Sequence, residues 1–160
     1  MRVEGYALWI FDADDTLRRT TVPGRPCPRA PEEWELLPRV RETLSAVAWN
    51  QPEQPKFGVA SNQDQVGAGL ISPTVARQLL VDMAREATGF SPPPDAIQFC
   101  PHALGVDCEC RKPRPGMLRR IMTFYGVGED ETVFVGDSPT DLIAAAAAGV
   151  AHLPAWRLFG

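Results

Sequence analysis

Ala7-Leu8-Trp9-Ile10-Phe11-Asp12-Ala13-Asp14-Asp15-Thr16-Leu17 runs from five apolar residues straight into carboxylates spaced i and i+2. A short apolar run bounded in this way reads as a buried strand, and the carboxylates make its end an acidic loop. Such an end can hold a divalent cation, and the cation tolerates a phosphate dianion beside the carboxylates. Asp-rich turns also end strands and cap helices without any chemistry. The stretch therefore has to be read with the rest of the chain.

Outward from it, strand and helix patterns alternate. Strands are expected over residues 6–12, 57–61, 96–100, 132–135 and 150–153, and residues 14–34 read as a long loop rich in Pro and Arg. A first helix is expected from about residue 38 to 49. A second opens with Ser72 as N-cap and Pro73 at its first position, and Gly89 stops it. A third runs from 115 to about 125 before Gly126, and a fourth over about 140–148 before Gly149. The alanine run 144–148 reads as a helix packed closely on a sheet. The fold class is therefore α/β, a doubly wound, Rossmann-like parallel sheet in one domain over 1–160. In such sheets ligands collect beyond the carboxyl ends of the strands. Asp12, Ser61 and Asp137 each fall at such an end, so motifs far apart in sequence converge by topology.

Composition narrows the function classes. The net charge of -4 supplies no bulk attraction to nucleic acid. No apolar stretch is long enough to cross a bilayer, and Met1-Arg2-Val3-Glu4-Gly5 lacks the build of a signal peptide, so a cytoplasmic location is expected. Only two lysines are present, Lys56 and Lys112, and the second sits in a candidate motif. Of four cysteines, three lie between positions 100 and 110 beside His102, whereas Cys27 stands apart. Without an export signal, that crowding favours reduced thiols or metal ligands over a disulfide framework.

Three later stretches complete the picture: Val59-Ala60-Ser61-Asn62-Gln63, Cys110-Arg111-Lys112-Pro113 and Val133-Phe134-Val135-Gly136-Asp137-Ser138-Pro139-Thr140-Asp141. Together with the first stretch, in this order, they resemble the haloacid-dehalogenase superfamily of phosphohydrolases. Cys100-Pro101-His102 and Cys108-Glu109-Cys110 resemble its zinc-containing branch, which includes histidinol-phosphate and heptose-bisphosphate phosphatases.

The resemblance implies strand order 5-4-1-2-3 with Asp12 on the central strand. It also implies Asp12 as nucleophile, forming an aspartyl-phosphate, and Asp14 as general acid and then base. Magnesium would be held by Asp12, the backbone carbonyl of Asp14, and Asp137. Asp141 would support that shell or orient Lys112, or simply cap the fourth helix. Ser61, Asn62, Arg111 and Lys112 would contact the phosphate, with Lys112 as a point charge on the transferring group. Asn62 has the alternative of shaping the loop. Cys100, His102, Cys108 and Cys110 supply a Cys3His set sufficient for a closed, structural zinc site.

The chain departs from the branch at Ala13 and Asp15, where Arg and Gly are usual. The short spacing from His102 to Cys108 looks more like the histidinol-phosphate phosphatases. No large cap insertion fits between the motifs, so an open site is expected, edged by the 18–34, 63–71 and metal loops. The expected function is a magnesium-dependent phosphomonoesterase for a small phosphorylated metabolite, of the histidinol phosphate or sugar bisphosphate type. The alternatives are a phosphatase of nucleic-acid ends, against which the acidic charge counts, and a non-catalytic binding module that keeps the fold.

Overall fold

Leu8–Phe11 forms β1, and all four of its residues are buried on both faces, as a central parallel strand requires. This computed structural model describes residues 5–160; residues 1–4, which carry most of the segment tested above for a signal peptide, lie outside it. The remaining strands are β2 (Arg18–Thr20), β3 (Trp34–Leu36), β4 (Lys56–Asn62), β5 (Ile97–Cys100), β6 (Thr132–Val135) and β7 (Ala151–Leu153). The helices are α1 (Val40–Leu44), α2 (Asp64–Gly67), α3 (Pro73–Thr88), α4 (Gly116–Tyr125), α5 (Pro139–Ala148) and α6 (Ala155–Phe159).

The main sheet is five-stranded, in the order β5-β4-β1-β6-β7. Every neighbouring pair in it is parallel. This is the expected order in space. The labels differ only because a small antiparallel pair, β2 with β3, lies inside the segment expected to be loop.

Side-chain alternation along β1 builds two core layers. Trp9 and Phe11 join Leu80, Met83, Ala84 and Ala87 of α3, Leu44 of α1 and Phe159 of α6. Leu8 and Ile10 face the other way, toward Leu118 and Ile121 of α4 and Ala144, Ala145 and Ala148 of α5. The alanine run is thus a packing surface. The caps behave as the sequence implies: the Ser72 hydroxyl accepts the Val75 amide, and Gly89, Gly126 and Gly149 take left-handed conformations.

Three expectations need correction. The 14–34 segment is not all loop, because Arg18, buried against Asp14, anchors β2, and a 3-10 turn at Pro31–Glu33 leads into β3. The first helix is far shorter than expected. The buried Trp49 turns back and donates its indole N–H to the Leu44 carbonyl at 2.7 Å, which satisfies the end of α1 and stops it. The short helices α2 and α6 carry too few residues for periodicity to reveal them. Among the described residues no helix is long and apolar enough to cross a membrane, and no large cap domain is present.

Register aligns the motifs. Phe11 stands opposite Val59 on one side and Val135 on the other, so Asp12 emerges between Ala60 and Gly136. Asn62 stands opposite Cys100, which sets the start of the cysteine loop beside the end of β4.

Candidate active site

Asp12 leaves β1 with its amide still bonded to Val135 O at 2.9 Å, so its position is fixed by the sheet. The next turn folds tightly, with the amides of Thr16, Leu17 and Arg18 all directed at Ala13 O. This turn places Thr16 Oγ1 3.2 Å from Asp12 Oδ2. It also forces Asp15 into the left-handed region at φ 65°, which explains why Gly is usual there and why Asp, which tolerates that region, can replace it.

Lys112 is only 4% exposed, yet it is fully surrounded by acceptors. Its Nζ lies 2.8 Å from Asp12 Oδ1, 2.8 Å from Asp141 Oδ1 and 2.9 Å from Ala60 O. Burial works against its charge, but Asp12 and Asp141 outweigh it, so the lysine pKa rises and the cation persists. Asp12 is pushed up to about 6, chiefly by burial, with Asp141 and Asp14 adding to the rise and Lys112 opposing it.

Asp141 combines two of the roles left open by the sequence. Its Oδ2 accepts the Ser138 amide at 3.2 Å in a capping box at the start of α5, while Oδ1 faces Lys112. Gly136 makes room for it, since a Cβ there would overlap the Asp141 carboxylate.

Asp14 sits in a different setting. Arg18 Nε donates to its Oδ1 at 2.8 Å, and Arg18 Nη2 and Gln63 Nε2 reach Oδ2 at 3.4 and 2.9 Å. The same Gln63 amino group donates to Ser61 Oγ at 2.8 Å. Neither Arg18 nor Gln63 was marked by the sequence reading. The i, i+4 spacing of Asp14 and Arg18, and the position of Gln63 directly after Ser61-Asn62, were the available signals.

Asn62 is turned away from the carboxylates. Its amide group bonds Lys112 O at 3.2 Å and the Lys112 amide at 3.0 Å, so it aligns the backbone that carries the lysine. Arg111 pairs with Asp64 of α2 at 3.4 Å rather than with the Asp12 group. Asp137 follows β6 on the far side of Asp12, and its Oδ1 accepts the Ala155 amide of α6 at 2.7 Å. It lines a cleft of about 220 Å³ with Asp15, Thr16 and Trp156.

The ligand atoms of Cys100, His102, Cys108 and Cys110 all lie within 4.8 Å of one another. A tetrahedron with zinc–sulfur and zinc–nitrogen bonds of the usual length has edges of roughly 3.8 Å and 3.5 Å. Cys100 and Cys108 sulfurs are 3.7 Å apart, and His102 Nδ1 lies 3.3 and 3.2 Å from the sulfurs of Cys100 and Cys110. The donor set and its spacing fit zinc.

A carboxylate on the central strand of a Rossmann-like sheet, paired with a buried lysine and flanked by further carboxylates, defines a hydrolase of the phosphoryl-transfer type. The chain belongs to the haloacid dehalogenase-like hydrolase family, whose model matches residues 27–149. It is 37% identical over 123 residues to D-glycero-beta-D-manno-heptose-1,7-bisphosphate 7-phosphatase of Bordetella bronchiseptica, covering 77% of this chain and 67% of that one. A D-glycero-alpha-D-manno-heptose-1,7-bisphosphate 7-phosphatase of Mycobacterium tuberculosis is 34% identical, with 76% of this chain and 65% of that one covered. The chain thus spans about two thirds of the length of these curated relatives. The crystal structure of the B. bronchiseptica D,D-heptose 1,7-bisphosphate phosphatase with magnesium and phosphate superposes with a TM-score of 0.74 at 32% identity, covering 91% of this chain and 78% of that one.

Proposed function

We propose that this protein is a magnesium-dependent phosphomonoesterase that acts on a sugar bisphosphate through an aspartyl-phosphate on Asp12. The observation that carries this reading is the Asp12 carboxylate at the end of the central strand, 2.8 Å from the buried Lys112 ammonium. A carboxylate needs no activating base to attack phosphorus, and the lysine offsets the charge that gathers there. Asp14, on the same turn, would protonate the leaving oxygen and then take a proton from the water that hydrolyses the acyl phosphate.

Asp12, the Asp14 carbonyl and Asp137 would hold magnesium, an all-oxygen donor set of the kind that ion takes, and the Ala155 amide bonded to Asp137 Oδ1 fixes that carboxylate. Bound by these residues, magnesium would supply positive charge that offsets the charge of the phosphate beside Asp12. Zinc held by Cys100, His102, Cys108 and Cys110 would play a structural part, because four protein ligands complete a tetrahedral set. The segment it closes ends at Cys110, directly before Arg111 and Lys112.

Between the two metabolite types, the named relatives support the sugar bisphosphate. The short 103–107 spacing pointed toward histidinol phosphate, but loop length between two zinc ligands is constrained by the metal and need not follow the substrate. The Ser61 hydroxyl, at the end of β4, accepts from the same Gln63 amino group that reaches Asp14, and it is the proposed phosphate contact. The test is a panel of phosphate esters with magnesium: a heptose 1,7-bisphosphate, histidinol phosphate and a 5′-phosphorylated oligonucleotide. The reading requires the highest kcat/KM on the sugar bisphosphate, and preference for either other substrate would overturn it.

A further inference from the structure

Gln63 and Gln65 are 1% and 5% exposed, and together they form a buried polar path from the 18–36 segment to the site. At the outer end, Arg29 Nε donates to Gln65 Oε1 at 3.3 Å. Gln65 Nε2 donates to Pro28 O at 3.0 Å and to Gln63 Oε1 at 3.2 Å. Gln63 Nε2 then donates to Asp14 Oδ2 at 2.9 Å and Ser61 Oγ at 2.8 Å.

The direction of this chain is fixed by chemistry. A guanidinium only donates and a backbone carbonyl only accepts, so Gln65 has one orientation that satisfies both. That orientation presents an amino group to Gln63, which must turn its own amino group toward Asp14. Flipping either amide would set two acceptors, or two donors, face to face in a buried site.

The consequence falls on Asp14. An ionised carboxylate offers about four lone-pair positions. Arg18 Nε occupies one on Oδ1, while Arg18 Nη2 and Gln63 Nε2 occupy those on Oδ2. The remaining position is on Oδ1, so Gln63, with Arg18, fixes the plane and rotation of the Asp14 carboxyl.

We propose that Gln63, oriented from the 18–36 segment through Gln65 and Arg29, is a positioning residue that sets the Asp14 carboxyl for proton transfer to the leaving group. The proposal rests on the phosphatase reading above. In the step concerned, phosphorus bonds to an Asp12 oxygen, the ester P–O bond breaks, and the proton on Asp14 passes to the departing oxygen. Loss of alignment therefore harms esters whose leaving oxygen needs that proton and spares those whose leaving group departs as a stable anion.

The experiment compares kcat/KM on an alkyl phosphate and on a dinitrophenyl phosphate, since this ratio reports events up to transfer onto Asp12. Gln63→Glu keeps shape but replaces the amino group with an oxygen that repels Asp14. It should lose about 10²-fold or more on the alkyl ester and less than about tenfold on the aryl ester, the residual loss coming through Ser61. Gln65→Met, which touches neither Asp14 nor Ser61, should show the same selectivity at about tenfold, as should Arg29→Met, with recovery in Arg29→Lys. Equal losses on both esters, or none, in folded variants would overturn the proposal alone. A wild-type protein inactive on both esters would overturn the phosphatase reading and the proposal with it. Should Gln63→Glu fail to fold by circular dichroism, Gln65→Met decides by the same criterion.

Discussion

Lys112 reaches across 100 positions of sequence to stand 2.8 Å from Asp12, and the lysine end of the contact is buried. The lysine is the hinge of the site: one carboxylate it touches, Asp12, is the proposed nucleophile, and the other, Asp141, starts a helix. Removing a charge from such a triad changes both chemistry and stability, because the remaining charges are left in a poor dielectric.

Asp12→Asn removes the attacking charge while keeping the shape. Turnover should fall about 10³-fold or more, and the thermal unfolding midpoint should not drop, since Lys112 keeps Asp141 as its ion partner and the triad loses its excess negative charge. Retention of more than a tenth of wild-type activity would exclude Asp12 as the nucleophile.

Lys112→Met should lower kcat/KM by about 10²-fold or more and destabilise the fold by roughly 3 kcal/mol in denaturant titration. Adding Asp141→Asn should restore part of that stability by relieving a stranded carboxylate, without restoring activity. Additive losses of stability in the double variant would show that the two residues do not act as a pair.

Proton and magnesium should compete at Asp12. In metal-free protein its pKa moves from 3.8 to about 6, so between those values the folded chain holds a proton that the unfolded chain has released. The group's contribution to stability is therefore fully present below 3.8 and is lost as pH rises through about 6. Magnesium affinity should run the opposite way, weakening about tenfold per pH unit on the acid side. Calorimetric titration across this range measures it, and a flat profile would contradict Asp12 as a ligand. EDTA should abolish activity, magnesium should restore it, and excess calcium should inhibit through its looser shell.

The cysteine loop should carry close to one zinc per chain and keep it through dialysis that strips magnesium. Cys108→Ser should release zinc and loosen the segment bearing Arg111 and Lys112, so activity falls although no reacting atom is touched. Most secondary structure should remain, because of the four ligands only Cys100, at the end of the edge strand β5, belongs to the sheet. Elemental analysis with circular dichroism checks both points, and zinc-free protein with unimpaired kinetics would refute the structural role.

The sequence by itself determined the sheet and the principal carboxylates. The apolar runs at Leu8–Phe11 and Thr132–Val135 are buried along their whole length, so each strand declares itself without help from its neighbours. The Ser72 and Gly89 caps are likewise local, since a cap is made by residues adjacent in the chain. The Cys3His set was legible because its ligands lie close in sequence and belong to few other chemistries.

Tertiary structure alone decided the partners. Whether Asp141 caps or pairs depended on where Lys112 arrived from, and both proved true of different oxygens. Asn62 bonded to the Lys112 backbone and Arg111 to Asp64, because those neighbours are set by the register of β4 against β5 and by the path of the metal loop. The end of α1 was hidden for the same reason, as it is the indole of Trp49 that stops it. Gln63 and Arg18 had only weak local signals, the i, i+4 spacing of Arg18 from Asp14 and the place of Gln63 after Ser61-Asn62, and neither names a partner. Their roles follow from burial, which leaves each donor few acceptors within reach, and burial is a property that only the folded chain possesses.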